Sequence, residues 1–246
     1  MLDYTIHYCK WHDGSKAHYD RMSAFYRTLL GDTVLASIPK RARILDVGCG
    51  QGLLVHALLA YGFQDVHGID LSEQQVSVAL EQGLPCKAVD VEYIHSLAQT
   101  YPGKYDVIFF MDVLEHLAKD EQVRILHSMY CLLSSGGKLI LSVPNANASF
   151  GLRWRYIDWT HETAFTEHSI EFVLLNSNFR EVTFLPFEFR TRPRLAFIPR
   201  KAVLFWVLLK IFRLMRRLEA VAELGPEGWR VPLSLNLLVE CVKTDA

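Results

Sequence analysis

The 246-residue sequence has no Cys-x-x-Cys pair, no excess of either charge and no apolar run long enough to cross a membrane. Its five cysteines form an odd, scattered set, which is typical of reduced, buried thiols and not of a disulfide framework. A membrane-spanning helix needs about 18 uninterrupted apolar residues, and residues 1–7 do not resemble a signal peptide. We therefore expect a cytoplasmic protein that is not integral to a membrane.

The charge balance excludes a general attraction for nucleic acid. Lys and Arg total 26 and Asp and Glu total 27, so the net charge is only −1. A nucleic-acid partner is therefore not expected. Half of the residues are hydrophobic, which is enough for the core of one large domain.

Short apolar runs alternate with helical patterns from about residue 44 to residue 144, as they do in parallel strands joined by crossover helices. The sequence predicts five strands here and two more near the C-terminal end: Ile44–Val47, Val66–Asp70, Cys86–Asp90, Tyr105–Asp112, Lys138–Val143, Val182–Phe187 and Leu233–Val242. The fold class is therefore α/β.

Capping signals mark several helices between these strands. Ser72 predicts a helix over residues 72–82, Thr166 caps another, and Gly136-Gly137 is expected to end the helix that begins after Asp120. We predict one domain made of a helical cap at 1–40, a core at 41–188, a helical insertion at 189–230 and a last strand at 231–246. Within the cap, Ala24–Tyr26 and Leu29-Leu30 are expected to face inward.

A glycine-rich segment, Asp46-Val47-Gly48-Cys49-Gly50-Gln51-Gly52, connects the first strand to a helix. Its three glycines let the backbone approach a ligand at the helix N-terminus. A dinucleotide-binding loop would have glycine or alanine in place of Leu53 and no acid in place of Asp46. These departures disfavour a nicotinamide-dependent oxidoreductase. They favour a ligand whose α-amino group Asp46 can hold, such as S-adenosylmethionine.

Four segments in register closely resemble the successive motifs of class I S-adenosylmethionine-dependent methyltransferases. They are Ile44-Leu45-Asp46-Val47-Gly48-Cys49-Gly50, Gly68-Ile69-Asp70-Leu71-Ser72, Tyr105-Asp106-Val107-Ile108 and Gly136-Gly137-Lys138-Leu139. The resemblance implies a seven-stranded, mostly parallel Rossmann-like sheet with helices on both faces and an antiparallel last strand. It also implies S-adenosyl-L-methionine as cofactor, with contacts at Asp46, Gly48, Gly50, Asp70, Leu71, Asp90, Val91, Met111 and Asp112.

The segment Asp112-Val113-Leu114-Glu115-His116 is similar to an acid-x-x-Glu-His element of ubiquinone-biosynthesis O-methyltransferases and small-RNA 2′-O-methyltransferases. In those relatives the equivalent residues hold a divalent metal, and His161 matches a second histidine of the RNA enzymes. The resemblance implies Mg²⁺ or Zn²⁺ at Asp112, Glu115, His116 and His161. The alternative is a metal-free site in which His161 acts as general base and Glu115 and His116 line the active site. Asp112 is shorter than the glutamate that the metal-binding relatives usually have.

Residues 190–217 hold nine Lys and Arg and no acid, so the rest of the chain carries −10. Within them Val203–Leu209 is continuously apolar, and Lys210, Arg213 and Arg217 fall on one helical face. This pattern is typical of an amphipathic helix that lies on a membrane surface. Two alternatives stay open: a helix that packs its apolar face on the sheet or on a second subunit of a homodimer, and a basic channel for RNA.

The acceptor is expected near Arg153, Trp154, Arg155, Tyr156 and Trp159, whose cations and aromatic rings suit a sugar, a phosphate or a carboxylate. The segment 158–162 and the cationic apolar tail also resemble methyltransferases of bacterial polysaccharide and glycolipid assembly. The sequence thus predicts O-methylation of a small or lipid-linked glycan acceptor, at the inner membrane face in the lipid-linked case. The alternatives are a quinone-precursor O-methyltransferase, an RNA-end 2′-O-methyltransferase and a non-catalytic cofactor-binding subunit.

Overall fold

A computed structural model describes residues 14–31, 33–187 and 200–244. Seven strands form one sheet: β1 (Arg43–Val47), β2 (Asp65–Asp70), β3 (Cys86–Ala88), β4 (Tyr105–Met111), β5 (Leu133–Pro144), β6 (Glu181–Leu185) and β7 (Asn236–Val242). Their order across the sheet is β3-β2-β1-β4-β5-β7-β6. Strands β1 to β5 are parallel, and β7 runs antiparallel to both β5 and β6. This is the predicted seven-stranded, mostly parallel Rossmann-like sheet.

Eight helices occur in the described residues: α1 (Lys16–Leu30), α2 (Leu53–Ala60), α3 (Glu73–Glu81), α4 (Val91–Thr100), α5 (Lys119–Leu132), α6 (Gly151–Ile157), α7 (Glu167–Asn176) and α8 (Arg200–Leu224). Three short 3₁₀ turns accompany them at Leu35–Ser37, Leu114–His116 and Gly225–Trp229. The side chains of Ser72 and Thr166 cap α3 and α7 as predicted, by accepting hydrogen bonds from backbone amides in the first turn.

The sheet is buried on both faces, as the continuous apolar strands predicted. Alternate residues of β4 point to opposite sides: Ile108 and Phe110 belong to one core cluster, and Val107 and Phe109 belong to the other. Helices α4, α5 and α7 cover the first face, and α1 to α3 cover the second. The parallel strands therefore present their carboxyl ends at one edge, where open α/β sheets bind ligands.

Several predicted boundaries differ from the structure. β3 ends at Ala88 because the carboxylate of Asp90 caps α4, accepting a 2.7 Å hydrogen bond from the backbone N–H of Tyr93. Gly136-Gly137 does not end α5, which stops at Leu132, because both glycines lie inside β5. Gly136 supplies a φ of +70° there, which an L side chain rarely adopts. β6 covers fewer residues than predicted, and β7 begins at Asn236 instead of Leu233.

The N-terminal cap is partly as predicted. Leu29 and Leu30 are buried and Phe25 and Tyr26 are half-buried, but Ala24 is exposed on the outer face of α1. The predicted reduced thiols are found at Cys49, Cys86, Cys131 and Cys241, all unpaired and all but Cys131 buried. Cys9, residues 1–13 of the cap and the three arginines at 190, 192 and 194 lie outside the described residues.

Candidate active site

The glycine-rich loop crosses the carboxyl end of β1 with Gly48, Gly50 and Gly52 all at positive φ. The backbone N–H groups of Gly48 and Cys49 donate to the Ile69 carbonyl at 2.8 and 3.0 Å, which fixes the loop beside the end of β2. A Cβ on Gly48 would lie 2.3 Å from Cγ2 of Val113, so the loop after β4 packs directly on this glycine. The ends of β1, β2 and β4 therefore meet at one place.

Asp70 joins the glycine loop to the end of β2. One carboxylate oxygen accepts from the Gly50 N–H at 2.7 Å, and the other accepts from the Ser72 N–H at 2.8 Å. Burial raises the pKa of Asp70, and these backbone hydrogen bonds oppose that rise. Each oxygen has two acceptor positions, so both can still accept a hydrogen bond from a ligand hydroxyl.

Asp46 lies at the floor of the same crevice with only 2% of its surface exposed. Its pKa rises to about 8, first because of burial and second because of the negative charge of Asp70. At neutral pH the carboxyl is therefore mostly protonated when no cation is present. A ligand cation beside it would favour the carboxylate.

A hollow of about 420 Å³ lies beyond Asp70, at the ends of β2 and β3. Leu71 and Asp90 both line it, and the side chain of Leu71 is 60% exposed. An open apolar surface beside a carboxylate suits a purine ring and its amino group. Val91 begins α4 and packs against the core instead of lining this hollow. Met111 is half-buried at the end of β4.

Asp112 follows β4 with a φ of +55°, a left-handed conformation that is uncommon for a residue other than glycine. One of its carboxylate oxygens accepts hydrogen bonds from the Ser142 hydroxyl at 2.8 Å and the Asn236 amide at 2.7 Å. These contacts tie Asp112 to β5 and β7. Among the described residues it is not part of the group that could hold a metal, which contains Glu115, His116 and His161.

The backbone of Glu115 places His161 in this cluster. Its carbonyl accepts from the N–H groups of Glu162 and Thr163, at 2.7 and 3.2 Å. The two imidazole rings of His116 and His161 consequently meet edge to face, with centroids 4.6 Å apart. The structure thus brings together three of the four residues that the sequence predicted.

Hydrogen bonds fix the tautomers of both histidines. Nδ1 of His161 lies 2.9 Å from the Trp154 carbonyl, which can only accept, so Nδ1 carries the proton and Nε2 the lone pair. Nδ1 of His116 lies 2.8 Å from the hydroxyl of Thr160, which itself donates to Asp158 at 2.7 Å. Nδ1 of His116 therefore carries a proton as well, and it donates that proton to the Thr160 hydroxyl. Burial is the main cause that lowers the pKa of His161, so its ring is neutral at pH 7.

The Glu115 side chain is 1% exposed, and its Oε2 has no hydrogen-bond partner among the described residues. Burial and then the charge of Asp112 raise its pKa well above the ordinary glutamate value. The candidate ligand atoms of Glu115, His116 and His161 lie within 4.8 Å of one another. Two imidazoles and one carboxylate suit a divalent ion such as Zn²⁺ better than Mg²⁺, which prefers oxygen ligands.

A second cavity, of about 280 Å³, lies beside this cluster. Glu162 and Thr163, the two residues after His161, line it together with Arg155 and Lys119. Of the residues predicted to form the acceptor wall, Arg155 lines this cavity, while Tyr156 and Trp159 are 72% and 89% exposed. Arg153 and Trp154 lie on α6 next to them.

Sequence reasoning missed Tyr19, a contact between the cap and the glycine loop. Tyr19 is 1% exposed, and its hydroxyl donates to the Gln51 carbonyl at 2.6 Å. Nothing in a helical pattern distinguishes this tyrosine from an ordinary core residue. The Asp158–Thr160 support of His116 was also missed, although Asp is a common turn residue whose side chain bonds the backbone two residues further on.

The chain matches a known protein family. The sequence model of the methyltransferase-domain family matches residues 18–183 of the chain. A ubiquinone biosynthesis O-methyltransferase of Xanthomonas euvesicatoria is 40% identical over 116 residues, which cover 45% of this chain and 47% of that protein. The chain thus matches about half the length of this curated relative.

Solved structures share the fold over almost the whole chain. A SAM-dependent methyltransferase from Archaeoglobus fulgidus is 22% identical with a TM-score of 0.63, and the match covers 98% of this chain and 100% of that one. Phosphoethanolamine N-methyltransferase 2 of Haemonchus contortus, solved in complex with S-adenosyl-L-methionine, is 16% identical with a TM-score of 0.56. That match covers 94% of this chain and 54% of the other.

Proposed function

The chain belongs to the class I S-adenosylmethionine-dependent methyltransferases, and from this premise we propose that it methylates a hydroxyl oxygen on a glycan, a glycolipid or another small acceptor. The observation that carries the proposal is the neutral His161 ring, which interacts electrostatically with Asp112 at the end of β4 and has its lone pair on Nε2. An alcohol needs a base to remove its proton during methylation, and a neutral imidazole is suited to that task.

The residues around the crevice can bind the methyl donor and orient the acceptor hydroxyl. S-adenosylmethionine, when bound, supplies a methyl group already activated by its sulfonium. Asp46 would hold its α-amino group, Asp70 its ribose hydroxyls, and Leu71 with Asp90 its adenine. The acceptor oxygen would bond to the methyl carbon of the donor, whose sulfur would leave as the neutral thioether, and Nε2 of His161 would take the hydroxyl proton.

The cavity beside His161 favours an acceptor that carries a sugar, a phosphate or a carboxylate. Lys119 and Arg155 both line it, and the Arg155 guanidinium donates to the Glu162 carbonyl at 2.9 Å while lying 5.1 Å from the centre of the Tyr156 ring. A planar cation on an aromatic ring is a common surface for sugars and anions. A quinone precursor is the second candidate acceptor, because the curated relative is named for ubiquinone biosynthesis.

Labelled methyl transfer to separated classes of compound tests the acceptor. The protein is incubated with methyl-labelled S-adenosylmethionine and, in parallel, with glycans, glycolipids, polyprenyl phenols, RNA and primary amines. We expect label in glycan or glycolipid as an alkali-stable methyl ether. Label mainly in the phenols would select the quinone-precursor reaction, and label only in RNA or amines would refute the proposal. Donor binding without transfer to any class would indicate a non-catalytic subunit.

The pH dependence of donor affinity tests the role of Asp46. Since its pKa is about 8 without ligand, binding of a cationic α-amino group requires the carboxylate and releases a proton. Affinity should therefore rise with pH, by up to about tenfold per unit between about pH 6 and pH 8, and then level off. Titration calorimetry in buffers of different ionisation enthalpy measures both the affinity and the proton release.

Asp46→Asn is the matched variant for this measurement. It keeps the shape of the side chain but cannot titrate, so its affinity should be lower and nearly independent of pH over the same range. A wild-type affinity that does not change with pH would show that Asp46 does not meet the α-amino group.

The buried Oε2 of Glu115 has no hydrogen-bond partner in the part of the chain that the structure describes, which favours a divalent ion as a second candidate role for the histidine cluster. If the cluster binds Zn²⁺, Glu115→Gln should weaken that binding at least about tenfold, since it removes the only carboxylate of the group. Competition with a chromogenic chelator measures the affinity. Equal Zn²⁺ affinity in the wild type and the variant would exclude a Glu115-dependent site.

A further inference from the structure

Helix α8 exposes an apolar stripe along its length. Eight apolar side chains recur at spacings of three and four residues and cover an arc of about 160° at 3.6 residues per turn. They are Leu204, Val207, Leu208, Ile211, Phe212, Leu214, Met215 and Leu218, and their exposed fractions range from 39% to 63%. Their exposure contradicts the alternative in which α8 packs its apolar face on its own sheet. A continuous stripe of eight exposed apolar side chains indicates a binding partner.

Between residues 204 and 218, the charged residues on the opposite side of α8 are all basic. Lys210 and Arg213 are exposed, and Arg217 lies on the same side one turn further along. Residues 200–218 contain six Lys and Arg in all and no acid, and Glu219 is the first acid of the helix. From residue 204 to residue 218 the helix is therefore apolar on one side, with its cations on the other.

Two arginines fix the C-terminal half of α8 to the domain. Nη1 of Arg217 donates to the carbonyls of Gly228 and Val231, at 2.8 and 2.6 Å. Nη2 of Arg216 donates to the Asn147 carbonyl at 3.0 Å, just after β5. Arg217, which the sequence placed on the same helical face as Lys210 and Arg213, is thus used to attach α8 to the domain. The bonds from both arginines also give the stripe a defined position near the carboxyl edge of the sheet, where the crevice lies.

We propose that α8 binds the surface of an anionic lipid bilayer, with the apolar stripe in the headgroup boundary and Lys210 and Arg213 against anionic headgroups. The charge pattern favours this occupant over a second copy of the chain. A second copy of α8 would add the same excess of cations over residues 200–218, whereas an anionic membrane supplies both counter-charge and an apolar phase. No helix among the described residues is long and apolar enough to cross a membrane. The proposal is therefore that α8 lies in the plane of the surface.

Vesicle flotation of the full chain tests the proposal. We expect the protein to float with vesicles that contain about one third phosphatidylglycerol, but much less with pure phosphatidylcholine, and to detach in high salt. Lys210→Gln with Arg213→Gln should reduce partitioning by about 25-fold, since each cation near an anionic surface contributes about fivefold. Leu208→Gln with Met215→Gln should reduce it at least about tenfold, because two apolar anchors are lost.

The control variant changes two equally exposed apolar residues elsewhere, Leu80→Gln with Phe172→Gln, and should float like the wild type. Absence of flotation with anionic vesicles would overturn the proposal, as would equal losses in the control and the stripe variant. Sedimentation without lipid should show a monomer. A dimer that Leu208→Gln with Met215→Gln dissociates would instead assign the stripe to a second copy.

Discussion

His161→Ala should reduce kcat by about 10²- to 10⁴-fold, the range typical for loss of a general acid or base, while the affinity for S-adenosylmethionine stays unchanged. The reason is positional: Nε2 is the only ring nitrogen of His161 that can accept a proton, since Nδ1 donates to the Trp154 carbonyl. Single-turnover rates with saturating donor, together with donor titration, separate the loss of chemistry from a loss of binding.

His168→Ala is the matched control, since this histidine lies seven residues later with its side chain 81% exposed, and it should retain full activity. Added imidazole should partly restore the rate of His161→Ala if the ring acts as a base. Activity that survives chelator treatment supports the same role. Loss of wild-type activity with chelator and its recovery with Zn²⁺ would instead assign His161 to a metal site, and an active His161→Ala would refute both.

The place of the cofactor-binding candidates in the fold could be predicted from the sequence because these residues are local to strand ends. Asp46, Gly48 and Gly50 lie in one continuous segment, and Asp70 ends the next strand. Parallel strands joined by crossover helices place such residues at the same edge of a sheet, whatever the details of the helices. The fold class followed for the same reason, since the alternation of strand and helix patterns determines it.

The rest of the site depends on contacts between distant segments, which no local pattern contains. The resemblance to metal-binding relatives implied that Asp112 is a metal ligand, but one of its carboxylate oxygens accepts from Ser142 and Asn236, which lie 30 and 124 residues away in sequence. The position of His161 likewise depends on backbone bonds from residues 162 and 163 to Glu115. The resemblance could name these residues as candidates, but the sequence could not show which of them contact each other.

The basic insertion is a second case in which contacts between distant segments could not be predicted from the sequence. Its charges could be counted from the sequence, and the helical spacing of its apolar residues predicted α8 correctly. The sequence did not show that Arg216 and Arg217 are used to attach α8 to the domain. An arginine side chain can either extend its charge into solvent or bind the carbonyls of its own domain. Only the three-dimensional structure shows which carbonyls lie within its reach.

Asp70→Ala should weaken S-adenosylmethionine binding by about 10²- to 10³-fold, because two charge-assisted hydrogen bonds to the ribose are lost together. The same carboxylate accepts from the N–H groups of Gly50 and Ser72, so the substitution also loosens the glycine loop. Titration calorimetry with S-adenosylmethionine measures the loss, and a parallel titration with NAD should show no binding to either protein. Asp70→Asn should lose nearly as much affinity, since its amide N–H₂ would face a backbone donor in place of one carboxylate oxygen.

Asp65→Ala is the matched control because Asp65 begins the same strand at the opposite edge of the sheet. Its only ion pair among the described residues is with His67. It should bind the donor like the wild type. Thermal unfolding of all variants separates a direct contact from general damage: if Asp70→Asn stays folded at the assay temperature and still loses affinity, the carboxylate itself binds the donor. Unchanged affinity in both Asp70 variants would place the ribose elsewhere, and the crevice at the ends of β1 and β2 would then not be the donor site.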